Sequence, residues 1–140
     1  MTIELTRVLI AEAETTSQQA IHQGLLDADV PADVALDTTA VIQCLQKKRY
    51  DVLLLDLADP LIDPQDVLGS LAALDPAEQP IVIALGTAEA ARSLESELVH
   101  VVIRKPVSLA QLVPIVQTCV RELARREQSP STEGQRPIRL

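Results

Sequence analysis

The chain has 140 residues, a formal net charge of −8 and a hydrophobic fraction of 47%. This length predicts one domain with a substantial core. The acidic excess argues against a surface for nucleic acid or an anionic membrane, because phosphates are bound by clustered Lys and Arg. The chain contains one Tyr and no Phe or Trp, so the core must be aliphatic and an aromatic platform for stacking nucleotide bases is excluded.

The sequence also carries no sign of export or membrane insertion. No stretch approaches the roughly 20 apolar residues of a transmembrane helix, and the N-terminus lacks the pattern of a signal peptide. The two cysteines, Cys44 and Cys119, have neither metal-binding nor CxxC spacing, and we expect both to be buried and reduced. These features predict a cytoplasmic protein.

Five short apolar runs, each bounded by residues that break regular structure, predict five strands. Runs that are apolar throughout are typical of strands buried on both faces of a parallel sheet. The second of these runs is the weakest. The predicted strands are 7–11, 33–36, 52–55, 81–85 and 99–103.

Amphipathic segments follow each of these runs and predict five helices. Thr16 begins a Thr-x-x-Gln capping box, Asp63-Pro64 is a helix start, and Ser108 caps the last helix. Pro114 lies inside that last helix, where we expect a kink. The predicted helices run from Thr15 or Thr16 to about residue 28, and over about 38–48, 64–74, 88–97 and 109–125.

The alternation of strands and helices defines the expected fold class. Strands joined through helices imply a parallel sheet covered on both faces. We therefore predict a flavodoxin-like, doubly wound α/β fold, (βα)5, with strand order 2-1-3-4-5. One domain is expected over residues 1–126. Residues 127–140 are polar and rich in Ser, Pro, Gly and Gln, and are expected to be a disordered tail or the start of a linker.

Three polar residues end three of the predicted strands: Glu12, Asp56 and Lys105. In the order 2-1-3-4-5, strands 1, 3 and 5 bring them around one pocket at the carboxyl edge of the sheet. There, one carboxylate can accept a phosphoryl group, a second can help to hold Mg²⁺, and the ammonium can meet the phosphoryl charge. Mg²⁺ takes hard oxygen ligands, so two carboxylates and a backbone carbonyl suit it.

These residues resemble the receiver domains of two-component response regulators, over about residues 6–126. The residues that carry the resemblance stand in the family's order and at its spacings. They are Val8–Glu12, Tyr50–Asp56, Pro60, Asp63, Pro80 and Lys105–Pro106.

The resemblance implies a site and partners. Asp56 corresponds to the phosphoacceptor and Lys105 to the family's lysine, while Glu12, Asp56 and the backbone carbonyl of Ala58 would bind Mg²⁺ weakly. A sensor histidine kinase or a phosphotransfer protein would donate the phosphate, and a downstream protein would be the target.

Several positions depart from the family's pattern. The second metal-site acid falls on Ala13, so Mg²⁺ loses attraction in a pocket where each charge counts for more than in water. The switch hydroxyl falls near Leu85, and the nearest hydroxyl, Thr87, is expected to cap the following helix. The switch aromatic falls on Val102, which is too small to act as a rotating plug. The usual Met before the proline is Asp59.

Two further residues are assigned minor roles. Glu14 would replace the missing acid only if its segment stayed extended, and we expect it to be exposed at the turn. His100 opens the fifth apolar run, where a surface or packing role is expected.

Two functions remain open at this point. The first is a receiver-like signalling domain in which phosphorylation of Asp56 controls a protein–protein interaction. The second is a pseudo-receiver, a phosphorylation-independent interaction module that works through helix 4, strand 5 and helix 5, where it would also form a homodimer. Neither is an enzyme that turns over a small molecule, because nothing beyond the phosphoacceptor pocket is equipped for turnover.

Overall fold

A computed structural model describes residues 7–127, with side chains as far as residue 123. The predicted tail at 128–140 lies outside the described residues. Five strands and five helices alternate, and a short 3-10 turn at Pro76–Glu78 precedes the fourth strand. In chain order they are β1 (Val8–Ala11), α1 (Thr15–Asp27), β2 (Ala32–Ala35), α2 (Thr38–Lys47), β3 (Val52–Asp56), α3 (Pro64–Ala72), β4 (Ile81–Leu85), α4 (Ala88–Arg92), β5 (Val99–Ile103) and α5 (Leu109–Glu127).

The strands form one parallel sheet in the order β2-β1-β3-β4-β5, which confirms the predicted topology. Successive residues of β1 and β3 point to opposite faces. Ile10 and Leu54 therefore pack in one cluster with α1 and α5, whereas Leu9 and Leu53 pack in a second cluster with α2 and α3. Because both faces are covered, β1 and β3 are apolar and buried up to their carboxyl ends.

Side-chain caps begin most of the helices at the predicted places. Asp37 accepts the N–H of Ala40 at the start of α2, and Asp63 caps α3 ahead of its first-turn proline. The predicted cap of α1 was wrong. Glu14, not Thr15 or Thr16, is the N-cap, and its carboxylate accepts the N–H groups of Ser17 and Thr16. A carboxylate is favourable there because it faces the positive end of the helix dipole.

The prediction that α4 reaches residue 97 was also wrong, because the helix ends at Arg92. Glu95 has a positive φ of 50°, which no helix accommodates. Leu94 and Leu98, whose spacing is that of one helix face, nevertheless pack half-buried against the core. Their burial is achieved by an irregular segment, so the apolar spacing alone did not distinguish it from a helix.

A bulge lies between β4 and the edge strand β5. Val82 pairs with Val99 but Ile83 pairs with Val101, so His100 is an extra residue in β5. The imidazole Nδ1 of His100 accepts the N–H of Val82 at 3.1 Å. His100 therefore has a structural role. Its side chain and that of Val102 are the exposed ones on β5, so one valine of this strand faces outward rather than a row of valines.

Candidate functional site

The carboxyl ends of β1 and β3 and the second residue after β5 meet at one edge of the sheet. There, Lys105 Nζ donates to Glu12 Oε2 at 2.8 Å and to Asp56 Oδ2 at 2.9 Å. The side chains of Glu12 and Asp56 are 0% and 3% exposed, while that of Lys105 is 27% exposed. The structure thus brings together the three residues that the strand order predicted, as one ion-paired triad.

The local backbone fixes both carboxylates. The N–H of Glu12 donates to the carbonyl of Ala35 at 3.2 Å, which extends the β1–β2 ladder by one residue. Asp56 is the last residue of β3, and its Oδ1 accepts the N–H of Ala58 at 3.0 Å, which turns the chain sharply after the strand. Each acid therefore sits on the rigid sheet rather than on a free loop.

The charges of the triad are not fully balanced. Burial acts to lower the pKa of Lys105, but its hydrogen bonds to Glu12 and Asp56 outweigh burial and hold that pKa above its usual value. One ammonium therefore faces two carboxylates. Among the described residues, Glu12 Oε1 is a buried oxygen without a hydrogen-bond partner, which costs on the order of 1–3 kcal/mol.

A cavity of about 350 Å³ opens beside the triad. Asp56 and Lys105 contribute to its wall, and Glu12 does not, although its carboxylate reaches Lys105. The remaining wall comes from the loops after β1 and β3. The lining residues are Ala13, Glu14, Asp56, Ala58, Asp59, Pro60, Leu61 and Lys105.

The residues around this cavity do not fit a magnesium ion. A methyl group stands at Ala13, where the resemblance calls for an acid, and Glu14 is exposed, as expected, with its carboxylate bound to the N-terminus of α1. Both oxygens of Asp59 accept backbone N–H groups. Among the side chains that the structure describes, over residues 7–123, no group of three or more from His, Cys, Asp and Glu is arranged to hold a metal.

The positions that would report a phosphoryl group are also altered. Leu85 pairs with Asp56 across β3 and β4, and its side chain is fully buried. The Thr87 hydroxyl oxygen caps α4 by accepting the N–H of Ala90 at 3.0 Å, as predicted. Val102 is 38% exposed and leaves the outer face of β5 without an aromatic ring. The edge thus keeps the three charged groups of the family's pattern, whereas the positions of the switch hydroxyl and the switch aromatic hold Leu85 and Val102.

Asp59 is the residue of the site that sequence reasoning missed. Asp59 was noted in the sequence only as a departure from the family's Met, but its carboxylate accepts the N–H of Leu61 in its own turn and the N–H of Ala13 across the site. Nothing in the local sequence indicated that Asp59 would be buried close to the other acids of the site. The coincidence of an acid at 59 with the loss of an acid at 13 was the available clue.

Comparisons with known proteins agree with this architecture. No family model matches the chain. A probable transcriptional regulator, ycf29 of Porphyra purpurea, is 28% identical over 68 residues, which cover 49% of this chain but 32% of that protein. No helix within residues 7–127 has the length and apolar character needed to span a membrane.

Solved structures give the broader likeness. A CheY-like response regulator receiver domain from Methanospirillum hungatei superposes with a TM-score of 0.74 at 17% identity, over 88% of this chain and 99% of that one. The receiver domain of a sensor histidine kinase from Pseudomonas aeruginosa, solved with magnesium in its active-site cleft, gives 0.69 at 21% identity, over 82% and 97%. The chain therefore has the fold of CheY-like receiver domains.

Proposed function

We propose that this chain is a receiver-like signalling domain that acts by binding other proteins, and that its output does not depend on phosphorylation of Asp56. The fold and the triad at its carboxyl edge support a receiver-like role. The alterations around that edge support an output uncoupled from phosphate.

The observation that carries the proposal is the contact between β3 and β4. A buried Leu85 stands opposite Asp56, so this residue of β4 has no hydroxyl to hold a phosphoryl oxygen. The next hydroxyl along the chain, Thr87, already caps α4. A phosphate on Asp56 would therefore lack the contact that pulls the β4–α4 loop towards the site.

The face formed by α4, β5 and α5 is the proposed binding surface, including for a second copy of the chain. Val102 is exposed there on an edge strand, and α4 spans just five residues. Sedimentation of the parent and of Val102→Glu at matched concentrations tests this surface. We expect a concentration-dependent dimer for the parent that the charge weakens, and equal behaviour would contradict the assignment.

Intact-mass analysis tests the independence from phosphate. The full chain is incubated with Mg²⁺ and a small phosphodonor, beside Asp56→Asn as a matched control. We expect no acid-labile adduct that is specific to the parent, because the residues around Asp56 do not form a magnesium site. An adduct present in the parent and absent from Asp56→Asn would contradict this expectation and favour the second candidate function, phosphoacceptor activity at Asp56.

Phosphoacceptor activity at Asp56 is the second candidate. The observation in its favour is that Asp56 and Lys105 both line the cavity, so a phosphodonor such as a histidine kinase or a phosphotransfer protein has a route to them. It ranks second because the predicted metal ligands, Glu12, Asp56 and the carbonyl of Ala58, are not joined by a further acid at Ala13.

A further inference from the structure

Asp59 is a buried acid that the phosphoacceptor pattern does not explain. It is 8% exposed and lines the cavity beside Asp56. Its Oδ1 accepts the N–H of Leu61 at 2.9 Å, two residues further along the same loop. Its Oδ2 accepts the N–H of Ala13, which lies 46 residues away in the loop after β1. Asp59 therefore links two loops that converge on the site.

The position of this link matters. In the site that the chain resembles, a metal ion joins the same two loops, through an acid at the position of Ala13 and a carbonyl at that of Ala58. Here the backbone N–H of Ala13 is bound directly by the carboxylate. We propose that Asp59 is an internal tether that replaces the metal-mediated link, so that the site keeps its shape without a cation.

Electrostatic repulsion explains why the chain has an acid at position 59 and none at position 13. Position 13 is half-buried and lines the same cavity as the buried Asp59, so a carboxylate there would repel that of Asp59. Asp59 needs no cation of its own, because each of its oxygens has an N–H donor and such bonds to an ionised acceptor are stronger than neutral ones. The site thus has room for an acid at position 13 or at position 59, but not at both.

The tether also fixes the rim of the cavity. The N–H of Leu61 is held by Asp59, and its carbonyl accepts the N–H of Thr38 at 3.1 Å. The Leu61 side chain is nonetheless 58% exposed. An apolar side chain is therefore presented on a backbone that is anchored on both sides. This inference deepens the proposed function, since it gives the reason why the rim would hold one conformation whether or not Mg²⁺ is present.

Four full-length proteins test the tether: the parent, Asp59→Met, Ala13→Asp, and the double variant Ala13→Asp/Asp59→Met. Thermal unfolding is followed by circular dichroism with and without millimolar Mg²⁺, and amide hydrogen exchange at position 13 is measured for each. Asp75→Met is the matched control, because Asp75 is exposed and its side chain caps nothing.

The parent is expected to unfold at the same temperature with and without Mg²⁺. Asp59→Met is expected to unfold several degrees lower, with exchange at Ala13 about tenfold faster, and to gain nothing from Mg²⁺. The double variant is expected to gain several degrees from Mg²⁺, because the acid is restored at position 13 and the competing acid is gone. Asp75→Met should behave like the parent.

Two results would overturn the tether. One is a parent that Mg²⁺ stabilises as much as it stabilises the double variant. The other is an Asp59→Met variant with parental stability and parental exchange at Ala13. Neither result depends on whether Asp56 gains a phosphoryl adduct in the intact-mass analysis. Failure of the tether can therefore be distinguished from failure of the proposed function. Should the double variant not fold, the exchange measurement on Asp59→Met still decides.

Discussion

Lys105 donates to two buried carboxylates, and this geometry makes it a structural residue whatever chemistry occurs at Asp56. Removing one partner of a buried ion pair leaves an uncompensated charge, which costs far more than removing a surface pair. The triad of Glu12, Asp56 and Lys105 can therefore be retained for stability alone. Its presence does not by itself imply phosphorylation.

Lys105→Met is expected to lower the free energy of unfolding by about 3–5 kcal/mol. The matched control is Lys48→Met, since Lys48 also pairs with an acid, Asp33, but both side chains are 38–39% exposed. An exposed pair contributes roughly 0.2–1 kcal/mol. Urea titrations followed by circular dichroism compare the two variants, and equal losses would show that the triad is not a buried ion pair in solution.

Tyr50 provides a direct optical test in alkaline solution, because it is the chain's one tyrosine. Burial of the phenol, together with its hydrogen bond to Asp33, raises its pKa well above the usual 10.0. The pKa of Lys105 is also raised above its usual 10.5. Both groups hold their protons longer when folded, so their contribution to stability is complete below about pH 10 and is lost as the pH rises further.

We therefore expect the phenolate absorbance of Tyr50 to appear only as the protein unfolds, in one transition shared with circular dichroism. A phenolate signal that rises near the ordinary tyrosine pKa while the ellipticity stays native would contradict the burial and the hydrogen bond to Asp33.

At the scale of elements, the sequence predicted the sheet better than it predicted the helix ends. A short run that is apolar throughout is compatible with few structures other than a strand buried on both faces. All five strands were therefore located from the sequence. The length of α4 was overestimated because Leu94 and Leu98 lie on irregular backbone and still pack, half-buried, against the core. The cap of α1 was misassigned because Glu14 can reach the same N–H groups as a threonine.

The sequence did not predict the hydrogen bonds that join a side chain to the backbone of a distant segment. Asp59 accepts the N–H of Ala13 from the loop on the other side of the site. His100 on β5 accepts the N–H of Val82 on the neighbouring strand β4. Both contacts depend on register and loop conformation, which local residue patterns do not encode.

The bulge in β5 leads to a prediction for His100. His100→Ala removes the acceptor of the Val82 N–H in a partly buried position. We expect a loss of about 1 kcal/mol, with faster exchange at the Val82 amide and little change in β1. Amide hydrogen exchange measures both strands in one experiment. Unchanged exchange at Val82 would mean that this amide finds another partner.

At the scale of the whole molecule, the chain keeps the features that the fold needs, and our proposal rests on its departures from the groups that a phosphate switch uses. The aliphatic core, the parallel sheet and the ion-paired edge are intact. Among the departures from the family's pattern, Ala13 lies in the loop after β1, at the position of the second metal-site acid, whereas Leu85 and Val102 lie on β4 and β5, between Asp56 and the α4–β5–α5 face. Under the proposed function, such a domain presents a surface to a partner, and the state of Asp56 does not change that surface.

The uncoupling of Asp56 from β4 and β5 is tested most directly by the backbone amide spectrum of the full chain with Mg²⁺ and beryllium fluoride, a mimic of the phosphoryl group. Asp56→Asn is the control. We predict that the amides of Thr87 and Val102 do not shift, whether or not the mimic perturbs residues next to Asp56. Shifts at both amides that are absent from Asp56→Asn would contradict the account.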